Sequence, residues 1–160
     1  MIQVLFVCLG NICRSPMAEA VFRHQVKQAN LESVIKVDSA GTGDWHIGHP
    51  PHQGTRDILD LYHIDHHGLR ARQVQAADFV NATYIIAMDD SNVRNLAAFA
   101  PDPVEGEQRS SIHKLLDFAP NRMIKDVPDP YYTGNFQEVF EMVEESCERL
   151  LAYILEKEQQ

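Results

Sequence analysis

The chain is expected to adopt an α/β fold of three layers, a four-stranded parallel sheet with helices on both faces. Short apolar runs of strand length alternate along the chain with segments whose apolar residues recur at helical spacing. Turn-forming residues separate the two kinds of segment. A length of 160 residues with 44% hydrophobic content is that of a globular domain able to bury a substantial core. Strands that alternate with helices build a parallel sheet covered on both sides, and such sheets bind ligands beyond the carboxyl ends of their strands.

The elements follow in order. Residues 2–7, Ile-Gln-Val-Leu-Phe-Val, form an apolar run expected as a buried strand. A helix is expected over 16–29, with Ser15 of a strong N-cap type and Pro16 suited to the first helical position. A second strand is expected over 34–39, and a helix over 53–62 after a loop rich in Pro and Gly. Residues 83–88, Thr-Tyr-Ile-Ile-Ala-Met, read as the third strand, 90–98 as a short helix, and the stretch from Ile112 to Phe118 as a weaker strand. The longest helix is expected over 136–156. Its stripe of Phe136, Phe140, Val143, Cys147, Leu150 and Ile154 recurs at helical spacing and should pack against the sheet. No internal repeat, low-complexity tract or linker divides the chain, so residues 1–160 are expected to form a single domain.

Composition removes several classes of function. A formal charge of −9 argues against nucleic acid, because binding a phosphate backbone needs clustered Lys and Arg. The apolar start is too short for a membrane span and lacks a basic n-region and a small-residue cleavage site, so neither membrane insertion nor secretion is expected. Three cysteines, an odd number, make no secreted disulfide framework. A reducing, cytoplasmic setting is expected instead.

The chemistry concentrates where the first strand gives way to the first helix, in Cys8-Leu9-Gly10-Asn11-Ile12-Cys13-Arg14-Ser15-Pro16. The five residues between Cys8 and Arg14 are enough to wrap a loop around one tetrahedral dianion, with backbone N–H groups turned inward as an anion nest. Arg14 can clamp two phosphate oxygens with its planar fork. Gly10 permits a turn conformation closed to most residues, and Asn11 tolerates left-handed geometry. A helix N-terminus after Ser15 would aim its partial positive charge at the loop. The loop amides, Arg14 and the helix end all favour a charged sulfur, so Cys8 is expected as a thiolate nucleophile, with the Ser15 hydroxyl available to hydrogen-bond it.

Read as CLGNICRSPMAEAVF, the stretch from Cys8 to Phe22 resembles the signature of the low-molecular-weight protein tyrosine phosphatases. Asp126-Val127-Pro128-Asp129-Pro130-Tyr131-Tyr132 is similar to that family's general-acid loop. The segments Asp38-Ser39-Ala40-Gly41-Thr42 and Met88-Asp89-Asp90-Ser91-Asn92 also resemble family segments, and the likeness runs over essentially the whole chain. It implies a flavodoxin-like sheet with strand order 2-1-3-4. It further implies a protein-tyrosine-phosphatase, a phosphoric monoester hydrolase acting on phosphotyrosine-containing proteins and small aryl phosphates. On its own, Asp129-Pro130 reads as an ordinary turn. Beside the Cys8 loop and the resemblance, Asp129 is expected to be the general acid and base, with Asp126 the rival carboxylate in the same loop.

The expected reaction has two steps. Cys8 displaces the alcohol to give a cysteinyl-phosphate while Asp129 protonates the leaving oxygen, and Asp129 then activates the water that releases inorganic phosphate, the product and an expected inhibitor. Arg14 and the loop from Leu9 through Gly10, Asn11, Ile12 and Cys13 to Ser15 hold the phosphoryl oxygens, and no cofactor or metal ion is required. Asn11, Ser15 and Ser39 resemble family residues that brace the loop and the thiolate, so their loss should weaken catalysis without abolishing binding. Trp45, Tyr131 and Tyr132 are the expected aromatic walls of a slot that favours phosphotyrosine over the shorter phosphoserine. Oxidation could join Cys8 to Cys13, a redox role that the resemblance favours, while Cys147 lies on an apolar helical face and reads as core.

Six of the eight histidines, His46, His49, His52, His63, His66 and His67, fall within one short stretch, but their spacing matches no zinc pattern and they are assigned no role. Two other functions fit part of the pattern. Thiol-linked arsenate reductases use a similar cysteine loop but relay electrons through further cysteines, and residues 80–100 contain none. A non-catalytic phosphotyrosine-binding module would typically have lost Cys8, Arg14 or Asp129. A monomer is expected, with weak self-association through the rim aromatics implied by the resemblance only.

Overall fold

The computed structural model describes residues 1–158. Strand β1 (Ile2–Cys8) lies inside a four-stranded sheet, paired in parallel with β2 (Ile35–Gly41) on one side and β3 (Tyr84–Ala87) on the other. Strand β4 (Ser111–Lys114) adds in parallel to β3, so the order is β2-β1-β3-β4, as expected. The register aligns Cys8 with Gly41 and Val7 with both Ala40 and Ala87. The nucleophile candidate therefore stands at the carboxyl end of a strand with neighbours on both sides.

The continuous apolar run of β1 reflects burial on both of its faces. Val4, Phe6 and Cys8 face a core built with α1 (Arg14–Gln28), α2 (Gln53–Leu61) and α6 (Phe136–Glu158). Leu5 and Val7 face a second, smaller core with Phe79 of the short α3 (Asp78–Asn81) and Leu96 of α4 (Asp90–Leu96). The rings of Phe6 and Phe22 meet edge to face at 5.6 Å between centroids, fixing α1 against the sheet. The expected stripe of α6 holds at Phe140, Val143, Cys147, Leu150 and Ile154, all buried; Phe136, at the first turn, is only half-buried.

Several boundaries differ from the sequence expectation for local reasons. Helix α1 begins at Arg14 rather than Pro16, and Ser15 does not cap it: its N-cap is Cys13, without a side-chain bond, because the Ser15 hydroxyl is engaged at Cys8 and Asn11. The helix closes with Asn30 in the left-handed conformation (φ 60°) and Leu31 N–H bonded back to Val26 O at 2.9 Å, a Schellman ending. Strand β2 runs to Gly41, two residues further than expected, and Gly41 also bridges Gln73. The weak strand near Ile112–Phe118 divides into β4 and a 3-10 turn (Leu115–Phe118) that buries Leu115 and Leu116 completely. Among the described residues no helix is long and apolar enough to cross a membrane.

Candidate active site

The loop after β1 turns through Asn11, whose φ of 56° is the left-handed geometry that Asn tolerates. Gly10, expected to supply that freedom, keeps a negative φ; a Cβ there would sit 3.1 Å from His46 Cδ2, so the ring would have to shift slightly to admit it. Gly41 matters more, since its Cβ would lie 2.8 Å from Leu9 O. Thr42 N–H and Gly43 N–H bond to Cys8 O and Leu9 O at 3.0 and 2.8 Å, and His52 N–H bonds to Ile12 O at 2.7 Å. The chain following β2 thus holds the outside of the loop.

The Cys8 thiol is buried. Its Sγ accepts the Asn11 N–H at 3.3 Å and lies 3.0 Å from Ser15 Oγ. Asn11 Nδ2 donates to Ser15 Oγ at 2.7 Å and to Ser39 Oγ at 3.0 Å, and Arg72 N–H donates to Asn11 Oδ1 at 3.0 Å. The three residues expected to brace the loop are brought into one network. With no side-chain cap on α1, the Arg14 and Ser15 N–H groups of its first turn are left available to an anion.

Arg14, 2% exposed, reaches across to the segments at the carboxyl end of β3. Its Nη1 donates to Asp89 Oδ2 at 2.6 Å and to Val127 O at 3.0 Å, and its Nη2 lies 3.4 Å from Asp129 Oδ2. Burial alone would favour loss of its proton, but Cys8, Asp89 and Asp129 outweigh that and raise its pKa above the ordinary value. Asp89 is the N-cap of α4, its Oδ1 accepting Asn92 N–H at 2.8 Å. One carboxylate therefore starts a helix and anchors the arginine.

The loop carrying Asp129 hangs from the end of β3, where Val127 N–H bonds to Met88 O at 2.9 Å. Asp129 caps the short α5 (Pro130–Thr133) through Tyr131 N–H at 3.1 Å, which leaves Oδ2 facing Arg14. Asp126, the rival acid, faces elsewhere: its Oδ1 accepts Lys114 Nζ at 2.9 Å and Asp90 N–H at 3.2 Å.

These groups surround a cavity of about 330 Å³. Cys8, Leu9, Gly10, Ile12, Cys13 and Arg14 form its floor, and Trp45, His46, Asp129, Tyr131 and Tyr132 its walls. Asn11 and Ser15 do not line the cavity but stand buried behind the loop. Trp45, Tyr131 and Tyr132 are exposed at the rim. Cys13 is buried beside Ile12 and Ala71, and its thiol pKa is pushed up to about 12 by burial and by its neighbours Cys8 and Asp129. Cys147 is fully buried in the α6 core, where burial pushes its thiol pKa up as well.

Three contributors were not assigned from the sequence. Asp89 holds Arg14, Glu19 accepts the Ser39 hydroxyl at 2.5 Å, and His46 lines the cavity 6.4 Å from the Tyr131 ring. His52, also unassigned, accepts Gly54 N–H through Nδ1 to cap α2, and stacks on Phe136. The histidine cluster was a signal, but nothing in its spacing said which rings turn inward. Among the described residues no three His, Cys, Asp or Glu side chains converge to hold a metal ion.

The family model for low molecular weight phosphotyrosine protein phosphatase matches residues 3–160. Low molecular weight protein-tyrosine-phosphatase YfkJ of Bacillus subtilis is 52% identical over 159 residues, covering 99% of each chain. Its crystal structure superposes with a TM-score of 0.91 over 100% of this chain and 98% of that one. A protein tyrosine phosphatase from Entamoeba histolytica, crystallised with Hepes in its active site, is 34% identical with a TM-score of 0.87 over 99% of each chain. The Drosophila arginine phosphatase DARP is also 34% identical, with a TM-score of 0.87 over 96% of this chain and 98% of that one.

Proposed function

The chain belongs to the low molecular weight phosphotyrosine protein phosphatase family, and on that premise we propose that it hydrolyses phosphotyrosine through a cysteinyl-phosphate formed on Cys8. The observation that carries the proposal is the convergence on one cavity of the loop that holds both Cys8 and Arg14 with Asp129, which lies more than a hundred positions further along the chain. A phosphoryl group seated on the loop places phosphorus within reach of Sγ, with its equatorial oxygens toward the loop N–H groups and Arg14.

The contacts of Arg14 indicate how substrate enters. Its Nη1 is held by two short bonds, to Asp89 and Val127, whereas the Nη2 contact to Asp129 is long. A phosphate oxygen replaces that weaker partner, and the planar fork then serves anchor and substrate at once. Asp129, released, protonates the leaving oxygen as Cys8 attacks. In the second step a water oxygen attacks phosphorus while Asp129 takes its proton, the S–P bond breaks to return the Cys8 thiolate, and inorganic phosphate leaves. Preorganised amides and Arg14 carry the charge, so the reaction is expected to proceed with chelator present.

Substrate preference comes from the rim. Tyr131, Tyr132 and Trp45 offer faces to a phenyl ring, and Tyr131 is buttressed by His46 and His52 at ring distances of 6.4 and 5.9 Å. Phosphotyrosine-containing proteins are the proposed partners, inorganic phosphate the product and competing ligand, and a reducing, cytoplasmic compartment the setting that keeps Cys8 as a thiol. The arsenate reading has little support, because a relay needs a reachable third thiol and Cys147 is fully buried.

The test is hydrolysis of a phosphotyrosyl peptide with chelator, beside phosphoseryl and phosphoarginyl peptides. The parent should prefer phosphotyrosine, Cys8→Ser should fall to background, and Asp129→Ala should lose about 10²–10⁴-fold in kcat. Turnover that survives removal of the Cys8 sulfur, or that requires a metal, sinks the mechanism. Preference for phosphoarginine would move the substrate class toward that named for the Drosophila relative.

A further inference from the structure

Glu19 is a buried carboxyl group on α1 that the proposed reaction leaves without a part. It is 5% exposed, its Oε1 accepts the Ser39 hydroxyl at 2.5 Å, and its Oε2 accepts the guanidinium of Arg23. From Ser39 a line of hydrogen bonds runs to the sulfur. Asn11 Nδ2 lies 3.0 Å from Ser39 Oγ and 2.7 Å from Ser15 Oγ, and Ser15 Oγ lies 3.0 Å from Cys8 Sγ.

The direction of each hydrogen follows from groups that can play only one part. The Arg72 backbone N–H, which can only donate, faces Asn11 Oδ1 and so fixes which way the amide points. The Asn11 NH₂ group must then donate to both serines, and each serine must send its own hydrogen elsewhere. That of Ser39 goes to Glu19. That of Ser15 has two acceptors, Cys8 Sγ at 3.0 Å and Ala40 O at 3.5 Å, and the nearer is the sulfur.

We propose that Glu19 is a positioning residue for the nucleophile: its ionised carboxylate holds the Ser39 hydroxyl as a donor and thereby locks Asn11 and Ser15 so that Cys8 receives a hydrogen bond. The proposal rests on the assignment of Cys8 as the nucleophile. A carboxylate acting through space would oppose a negative sulfur, whereas one acting through the relay supports it. The two effects have opposite signs, which makes them separable.

The charges around Glu19 bear on its ionisation. Burial pushes its carboxyl pKa above the ordinary value, Asp38 of β2 adds to this, and the Ser39 and Arg23 bonds oppose it. Asp38 is itself bonded by Arg72 at 3.0 Å. The Glu19 charge is therefore lost at a higher pH than that of an ordinary carboxyl, and the relay weakens with it.

The test uses alkylation of Cys8 by neutral iodoacetamide, followed by mass spectrometry, so it reads the sulfur whether or not the protein turns over phosphotyrosine. The quantity is the rate at about pH 5.5 divided by the rate at the alkaline plateau. In Glu19→Gln a single oxygen must serve two donors, Ser39 and Arg23, and the ratio should fall about 3–10-fold. In a Ser39→Ala background the same substitution should change nothing further. A ratio that rises shows a through-space charge, and an unchanged ratio shows a merely structural residue; either overturns the proposal. Should Glu19→Gln not fold, Arg23→Gln on the solvent side asks the same question. Its effect must vanish when Ser39 is Ala, and an equal effect in both backgrounds overturns the proposal.

Discussion

Replacing Asp89 by Asn separates two jobs that one carboxylate performs. Asp89 Oδ1 accepts Asn92 N–H at 2.8 Å as the cap of α4, and Oδ2 accepts Arg14 Nη1 at 2.6 Å. The amide oxygen of Asn keeps the cap, while its NH₂ group turns a donor toward the guanidinium. What is lost is one charge-assisted hydrogen bond in a site where the arginine side chain is 3% exposed and the aspartate 20%. Such a bond contributes about 1.5–3 kcal/mol, which corresponds to roughly 10- to 100-fold in kcat/KM if the transition state feels all of it. The loss should appear in both constants. Arg14 is freed to swing toward Asp129, so the phosphate clamp loosens and the acid is tied down together. Asp89→Ala should lose comparable activity and also the cap, about 1 kcal/mol, lowering the thermal midpoint by a further 2–4 °C or so. The assay is kcat and KM on a phosphotyrosyl peptide, with competitive inhibition by inorganic phosphate and a melting curve for each variant. A folded Asp89→Asn with kcat/KM within about twofold of the parent would refute the argument. In that case Val127 O and the loop alone would position Arg14.

Two further outcomes follow from the loop and its thiols. Gly41→Ala drives a Cβ to 2.8 Å from Leu9 O and 3.2 Å from Asn11 N, both backbone, and should cost about tenfold or more in kcat/KM; Gly10→Ala meets only the movable His46 ring at 3.1 Å and should cost about threefold or less. Equal losses in the two variants would contradict this reading of the packing. Mild peroxide should convert Cys8 and Cys13 to a disulfide, seen as a mass loss of about two hydrogens and reversed by dithiothreitol. Cys13→Ser should then be inactivated irreversibly, and recovery that does not depend on Cys13 would remove its redox role.

What the sequence made legible is what depends on neighbours along the chain. The run of β1 is apolar because both faces are covered, the α6 stripe repeats at helical spacing, and Cys8 and Arg14 stand in one contiguous loop. Asp89 and Glu19 were hidden for the opposite reason. Each reads locally as an ordinary helix-terminal or helix-surface acid, and only the strand register brings Asp89 to an arginine 75 positions away and Glu19 to a serine 20 positions away. Ser15 misled as a cap because cap and brace ask for the same hydroxyl, and the thiol and Asn11 claimed it. Gly10 and Asn11 both suit a left-handed turn, and composition does not say which one takes it. His46, which lines the cavity, and His52, which backs Tyr131, belong to an aperiodic loop, where spacing carries no information about direction.

Because β1 is an interior strand of the sheet, the order of synthesis and the order of assembly are out of step. The ribosome delivers β1 before any partner, and its second ladder waits for Tyr84–Ala87 to emerge. Asp129 comes later still, and the α6 residues that cover the Cys8 face of the sheet come last. A nascent chain therefore carries Cys8 from the outset but lacks Asp89, Asp129 and the α6 cover until most of the polypeptide has been made. Pairings between residues so far apart also slow folding, since long loops must close before those contacts stabilise anything. An interrupted translation product would bear the thiol without the enzyme.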